Sequence, residues 1–183
     1  MKMDPIQIIS RYYPPESPLF TTLITHSQAV AKKAAGIAEK IGLNEALMEF
    51  IHEAAMLHDI GIFLTSAPEI GCNGKLPYLC HGYLGHDLLL REGLPKHALV
   101  CERHTGTGLN LEDVGRLPKI LPYRPLEPVS LEEKLIAYCD KFFSKDPGKL
   151  EEERSVADIL DGLRKYGDRK AAIFTDWHEQ FSK

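Results

Sequence analysis

Among the histidines and carboxylates of this sequence, six stand out as candidate ligands for a divalent cation: His26, His58, Asp59, His81, His104 and Asp140. Imidazole nitrogens and carboxylate oxygens together suit Fe, Mn, Zn, Co or Ni. A lone histidine on a helix is usually packed or at the surface, so its position on the helix carries the argument. His26 falls on the stripe of Leu23, Val30, Ala34 and Ile37 and therefore points inward. His58 shares a face with Leu47, Ile51 and Ala54. Two histidines in one core are costly unless their nitrogens find partners. A metal ion is one such partner, and backbone carbonyls are the other. Asp59 follows directly, and a carboxylate buried among apolar residues needs a cation. The His-Asp dipeptide alone occurs by chance. Joined to an inward His26 and to Asp140 among Ile136, Ala137 and Phe143, it describes a site.

His81 lies beside Gly82 at a helix start, and Gly85 allows another element to come close. His104 ends a helix on the face of Val100, just before Thr105-Gly106. His86 faces away from His81 and is expected at the surface, while His52, His97 and His178 are expected to be structural or exposed. The stretch from His52 to His58 is no zincin motif, because the second histidine comes six residues on instead of four.

The elements that must position these groups are helical. Asp4-Pro5 and Ser17-Pro18 each pair an N-cap residue with proline at the first helical position. From Leu19 to Ile41 apolar residues recur every three or four positions, which predicts one long amphipathic helix ended by Gly42. Asn44 caps a second helix that ends near Gly61. Short helices are predicted over about 82–92 and 96–104. The proline-rich stretch from Leu117 to Pro128 reads as an extended connector, within a surface excursion over 109–129. Ser130-Leu131-Glu132-Glu133 is a capping box opening a helix to about Ser144, and two further helices fill 153–166 and 169–181. No run alternates strictly, so no sheet of any size is expected. The expected fold is all-α, a single-domain helical bundle over 1–183, with its core at about 20–145 and the C-terminal helices 153–181 packing on it.

Composition sets the outer limits. The chain has 183 residues, 44% of them hydrophobic and 26% charged, as in ordinary soluble domains. A net charge of −4 argues against strong nucleic-acid binding by bulk charge, yet leaves room for a small phosphorylated ligand in a local basic pocket. Cys72, Cys80, Cys101 and Cys139 form no C-x-x-C pair and read as reduced core residues. Without an apolar signal segment or a membrane-length run, the expected location is the cytoplasm.

In order and local context these motifs resemble the HD superfamily: His26, then His58-Asp59-Ile60-Gly61, His81-Gly82 with Gly85, Glu102-Arg103-His104-Thr105-Gly106, and Leu131-Glu132-Glu133-Lys134 leading to Ala137-Tyr138-Cys139-Asp140-Lys141. The resemblance covers about residues 20–145. It is similar to small stand-alone HDIG-type hydrolases, and to the bacterial HD family that splits symmetrical dinucleoside tetraphosphates. The resemblance implies an HD-type helical bundle in which His26, His58, Asp59 and Asp140 hold one metal. It further implies that His81 and His104 hold a second, with Asp59 bridging. One departure is that Gly61 is followed by Ile62-Phe63, where some two-metal relatives carry a lysine or arginine near the substrate phosphate. Arg103, Lys141 and Arg124 are the candidate replacements.

The implied activity is metal-dependent hydrolysis of a small phosphoester, with a nucleotide as the expected substrate, by attack of metal-bound hydroxide. The ions would stand ~3.5–4 Å apart in a two-metal site. The expected catalytic residues are Asp59, Arg103 and Lys141. Two other readings share the fold: a mixed-valent di-iron oxygenase on the same six ligands, and a nucleotide-sensing regulatory module.

Overall fold

The computed structural model describes residues 3–183 and is predominantly helical. Helix α1 (Pro5–Ile9) starts at Asp4, whose side chain accepts from the Ile6 amide. Helix α2 (Pro18–Lys40) starts at Ser17, whose Oγ accepts from the Phe20 amide, with Pro18 preset for the first turn. It stops at Gly42, which takes a positive φ of 72° while the Leu43 amide reaches back to the Ala38 carbonyl. Its inward stripe, Leu23, His26, Val30, Ala34 and Ile37, is buried along its whole length. Helix α3 (Glu45–Leu57) is capped by Asn44, lies antiparallel to α2 and ends at His58.

After His58 the chain tightens into turns and a 3-10 turn at Ile62–Leu64. Three very short strands follow: β1 (Thr65–Ala67), β2 (Cys72–Asn73) and β3 (Leu76–Pro77). β1 is central, antiparallel to β2 with Ala67 opposite Cys72, and parallel to β3 with Thr65 opposite Leu76. This small sheet departs from the expectation of none. Strands of two or three residues are too short for alternation to register in the sequence. A second 3-10 turn, Tyr78–Cys80, leads into α4 (His81–Arg91), and α5 (Pro95–Arg103) returns against it.

Ahead of its proline-rich stretch, the connector 109–129 carries a helix that the sequence reading did not expect. Asn110 and Asp113 form a reciprocal capping box that starts α6 (Leu111–Arg116). Helix α7 (Leu131–Asp140) ends four residues before the expected Ser144. Beyond Asp140 the amides of Phe142 and Phe143 bond three residues back, and the Phe142 carbonyl accepts from the Arg154 amide instead of continuing the helix. Helices α8 (Val156–Arg164) and α9 (Asp168–Phe181) close the chain.

Two apolar clusters form the core. The larger joins α2, α3 and α7 to the C-terminal helices through Phe174, Trp177 and Phe181. The smaller gathers Ile9, Tyr13, Leu23, Leu57, Ile60 and Leu89 around α1 and the turn after α3. Truncating a fully buried member such as Ile51 to alanine costs about 2–5 kcal/mol. Helices α2, α3 and α5 each cross the seam between the clusters, while α7 packs in the larger and α4 in the smaller. Leu23 and Val30 flank His26 on opposite sides of the seam, and Val100 and Cys101 divide the same way just before His104.

Where the turn after His58 meets α4 there is no room for side chains. A Cβ on Gly61 would collide with the His81 carbonyl and the Gly85 backbone, and one on Gly85 would collide with Cys101 Sγ. Backbone rests on backbone here, and only glycine permits it.

Candidate metal centre

The side chains of His26, His58, Asp59, His81, His104 and Asp140 converge in the seam, and all are buried. Asp59 lies at the middle. Its Oδ2 stands 3.0 Å from His58 Nε2 and 3.3 Å from His26 Nε2. Asp140 Oδ1 completes that side, 3.0 Å from His26 Nε2 and 3.4 Å from His58 Nε2. The other oxygen, Oδ1, stands 3.3 Å from His104 Nε2 and 3.4 Å from His81 Nε2, and those two nitrogens are 3.0 Å apart. The geometry thus makes two donor groups that share Asp59: His26, His58, Asp59 and Asp140 on one side, Asp59, His81 and His104 on the other. Each group is compact enough to hold a metal ion.

Local helix geometry aims the imidazoles. In His58, His81 and His104 the Nδ1–H donates to the carbonyl three residues earlier, of Ala55, Tyr78 and Cys101, at 2.6, 2.6 and 2.7 Å. A carbonyl can only accept, so the proton is on Nδ1 and a neutral ring keeps its lone pair on Nε2. This backing by a carbonyl is the arrangement that orients metal-binding histidines. His81 and His104, both kept neutral by burial, therefore point two lone pairs at each other. That is unfavourable without a cation between them.

The oxygens give the same indication. Both oxygens of Asp59 and Nε2 of His58 are buried without a well-aligned hydrogen bond, despite their neighbours. Buried polar atoms are normally paired, and a divalent cation matches this donor set. Within the fold, the six residues fit such a group.

Electrostatics separates the two sides. Burial opposes charge on His58, but Asp59 and Asp140 outweigh it and raise its pKa to about 9. Burial lowers His81 to about 3, with His104 and Lys145 adding to the effect against Asp59. His104 is lowered too, mainly by burial. Burial opposes ionisation of Asp59 and Asp140, yet His58 and the lysines hold both well below the usual carboxylate range.

Lys145 is a site residue that sequence reasoning did not find. Its Nζ lies 2.7 Å from Asp59 Oδ2 and 3.7 Å from Asp140 Oδ1, with the side chain only 15% exposed. These carboxylates and Tyr78 overcome burial and hold the ammonium well above its ordinary pKa. The only signal was its place five residues after Asp140, and an expected helix running to Ser144 gave it no direction. Lys141 pairs with the outer oxygen of Asp140 at 2.7 Å. Arg103 Nη1 donates to both oxygens of Glu133 at 3.1 Å. Arg124 is bound to Glu102. His97, expected to be structural or exposed, is buried and meets Glu53 at 3.2 Å. His86 meets only Asp87.

Comparison with known proteins gives a consistent picture. Residues 23–144 match the family model described as HD domain. The chain is 32% identical over 121 residues to an uncharacterized protein of Methanocaldococcus jannaschii, covering 64% of each. It is 29% identical over 125 residues to a tRNA (cytidine(56)-2'-O)-methyltransferase of Picrophilus torridus, covering 68% of this chain and 32% of that one. The chain thus spans less than two thirds of the length of these curated relatives. Among solved structures, the HD domain of the L. monocytogenes phosphodiesterase PgpH superposes with a TM-score of 0.52 at 20% identity, covering 94% of both chains. The same domain in complex with cyclic-di-AMP gives 0.53 at 21% identity, covering 96% of this chain and 94% of that one.

Proposed function

The chain belongs to the HD domain family, and from that membership we propose that it is a metal-dependent phosphohydrolase acting on a small phosphoester, with a nucleotide as the substrate class. The observation that carries this reading is Asp59, which offers one oxygen to each of two groups of buried Nε2 atoms. His26, His58, Asp59 and Asp140 would hold the first ion, and Asp59, His81 and His104 the second, drawn from Fe, Mn, Zn, Co or Ni. Bound there, the ions supply an acidified water and polarise a phosphoryl oxygen.

The chain's own residues do the rest. Asp59 bridges the two halves and orients the nucleophile through whichever oxygen faces it. The burial of His26, His58 and Asp59 excludes bulk water and strengthens every charge interaction with the phosphate. Lys145 and Lys141 reach the carboxylates from outside and stand where phosphate charge would be met. We assign that role to them. Arg103, proposed for it on sequence, has its guanidinium directed to Glu133 and braces α5 against α7.

What supports a nucleotide is that the PgpH HD domain, of the same fold, has been solved with cyclic-di-AMP. That favours a nucleotide in general, not a symmetrical dinucleoside tetraphosphate in particular. Among the described residues no helix is long and apolar enough to cross a membrane. The four cysteines are free and buried, which suits a reducing compartment, and we place the protein in the cytoplasm. The test is metal analysis of protein purified without added metal, followed by a phosphoester panel with each of the five metals. Metal-dependent release of phosphate or of a phosphomonoester is expected. No turnover with any metal would overturn the reading, and iron with oxygen uptake would move the chain to the oxygenases.

A further inference from the structure

A cavity of about 470 Å³ adjoins the centre on the side of the C-terminal helices. Three of its lining residues are sequence neighbours of the site: Leu79 lies two before His81, Thr105 follows His104, and Lys141 follows Asp140. Three separate ligand-bearing segments thus end at one wall, and Lys141 Nζ bridges from Asp140 into the cavity. The opposite wall is α8 and the turn after it, with Ile159 and Leu163 forming an apolar floor.

Its charge is one-sided. Lys141, Arg154, Lys165 and Lys170 line it, and no acidic residue does, in a chain whose net charge is −4. Lys141 and Lys170 have carboxylate partners in Asp140 and Asp113. Arg154 and Lys165 have none among the described residues. The Arg154 guanidinium donates to the Asp158 carbonyl, while the Asp158 carboxylate is taken by Ser155. The Thr107 hydroxyl is buried at the same wall without a hydrogen-bond partner. Tyr166, 81% exposed, stands at the rim.

We propose that this cavity binds the part of the substrate that is not transferred, and that this part carries a second anionic group, a phosphate, on a flat or apolar body such as a nucleoside. Arg154 and Lys165 receive the second phosphate, Thr107 hydrogen-bonds the body, and Tyr166 with the Ile159–Leu163 floor packs against its flat face. The proposal rests on the phosphohydrolase reading for the word substrate, but its binding site stands on the cavity alone. Arg154, Ile159, Leu163, Lys165 and Tyr166 lie beyond the family match, so that wall of the cavity is supplied by the C-terminal part of this chain.

The test compares the wild type with the Arg154→Ala/Lys165→Ala double variant. Both side chains are exposed, so the fold survives, and Lys165→Glu serves as a second, charge-reversing variant. Adenosine 3′,5′-bisphosphate is titrated calorimetrically into the chain, and adenosine 5′-monophosphate and p-nitrophenyl phosphate are used alongside it in steady-state assays. The bisphosphate should bind the wild type at least about tenfold more tightly than either variant, since a charge-assisted contact is lost. In turnover, the variants should raise KM for the bisphosphate by about tenfold more than KM for p-nitrophenyl phosphate. No binding to the wild type, or equal binding to wild type and variants, overturns the cavity whatever the turnover. Selective binding without hydrolysis of any phosphoester with any metal leaves the cavity standing and removes the reaction.

Discussion

The two halves of the centre share Asp59 and differ in nearly everything else. Around Oδ2 stand two carboxylates, two lysines and His58, which the acids hold protonated up to about 9. That half is already neutralised by the chain's own cations. Around Oδ1 stand two histidines kept neutral by burial, their lone pairs 3.0 Å apart, with one carboxylate oxygen and no cation. One half must give up protons and an ammonium contact to take an ion. The other has only repulsion to lose. Donor types alone do not rank two sites; what already sits among the donors does.

The comparison can be broken most directly at its hinge. Asp59→Ala should empty both halves in metal analysis and lower phosphoester turnover by about three orders of magnitude, because metal charge stabilisation is worth several kcal/mol. Loss of only one ion would mean the halves are independent. Next, His104→Ala should leave the fold intact by circular dichroism, lower metal content from two per chain toward one, and remove most activity. One ion in the wild type at saturating metal, with full activity in the variant, would reduce the site to the Oδ2 half.

Protons distinguish the halves more finely. At pH 7 the first ion should displace about one proton from His58 and the second none, read as buffer-dependent heats in calorimetry. The stability of metal-stripped protein follows the same division. His58 has its folded pKa above its unfolded value of 6.5, so its contribution is full below 6.5 and is lost as pH rises through about 9. His81 has its folded pKa depressed, so its contribution is present above 6.5 and is lost as pH falls toward about 3. On these two groups, thermal melts of stripped protein should peak near neutrality and fall on both sides. A flat profile over this range would show that neither shift exists.

Smaller effects sharpen the contrast. Lys145→Met removes a cation whose carboxylate contacts, Asp59 Oδ2 and Asp140 Oδ1, lie in the Oδ2 half. It should tighten binding of the first ion most, with a smaller gain for the second through His81, and cost about tenfold in turnover through the lost phosphate contact. Last, His97→Ala should cost about 1 kcal/mol by losing its contact with Glu53, with metal content unchanged. Loss of metal in that variant would mean that the structural and ligand histidines are not separable.

The sequence made the helices and the inward histidines readable because both follow a 3.6-residue period. Ser17, Asn44 and Ser130 mark helix starts chemically, and His26 and His58 sit on stripes of aliphatic residues. Where regular periodicity stops, so did legibility. Lys145 lies beyond the end of α7, in a turn set by the Arg154 amide closing on the Phe142 carbonyl. Arg103 and Arg124 looked free because their partners, Glu133 and Glu102, depend on how helices and connector meet. Helix α6, six residues long, and the strands of two or three residues were too short to show a pattern. The cavity, formed between segments far apart in the chain, had no local signature at all.

The glycine crossing between Gly61 and Gly85 bears on how such a centre can evolve. The separation of the HD turn from the segment carrying His81 is fixed by main chain pressed on main chain, with no side chain to trim or enlarge. A lineage can therefore not adjust that separation gradually. A single methyl at Gly61 would meet the His81 carbonyl and the Gly85 backbone, wedge α4 outward and carry His81 with it, while His26 and Asp140 on the far side kept their places. On the two-metal reading, the route from two ions to a four-ligand site would be one substitution long, and it would pass through a residue outside the donor set.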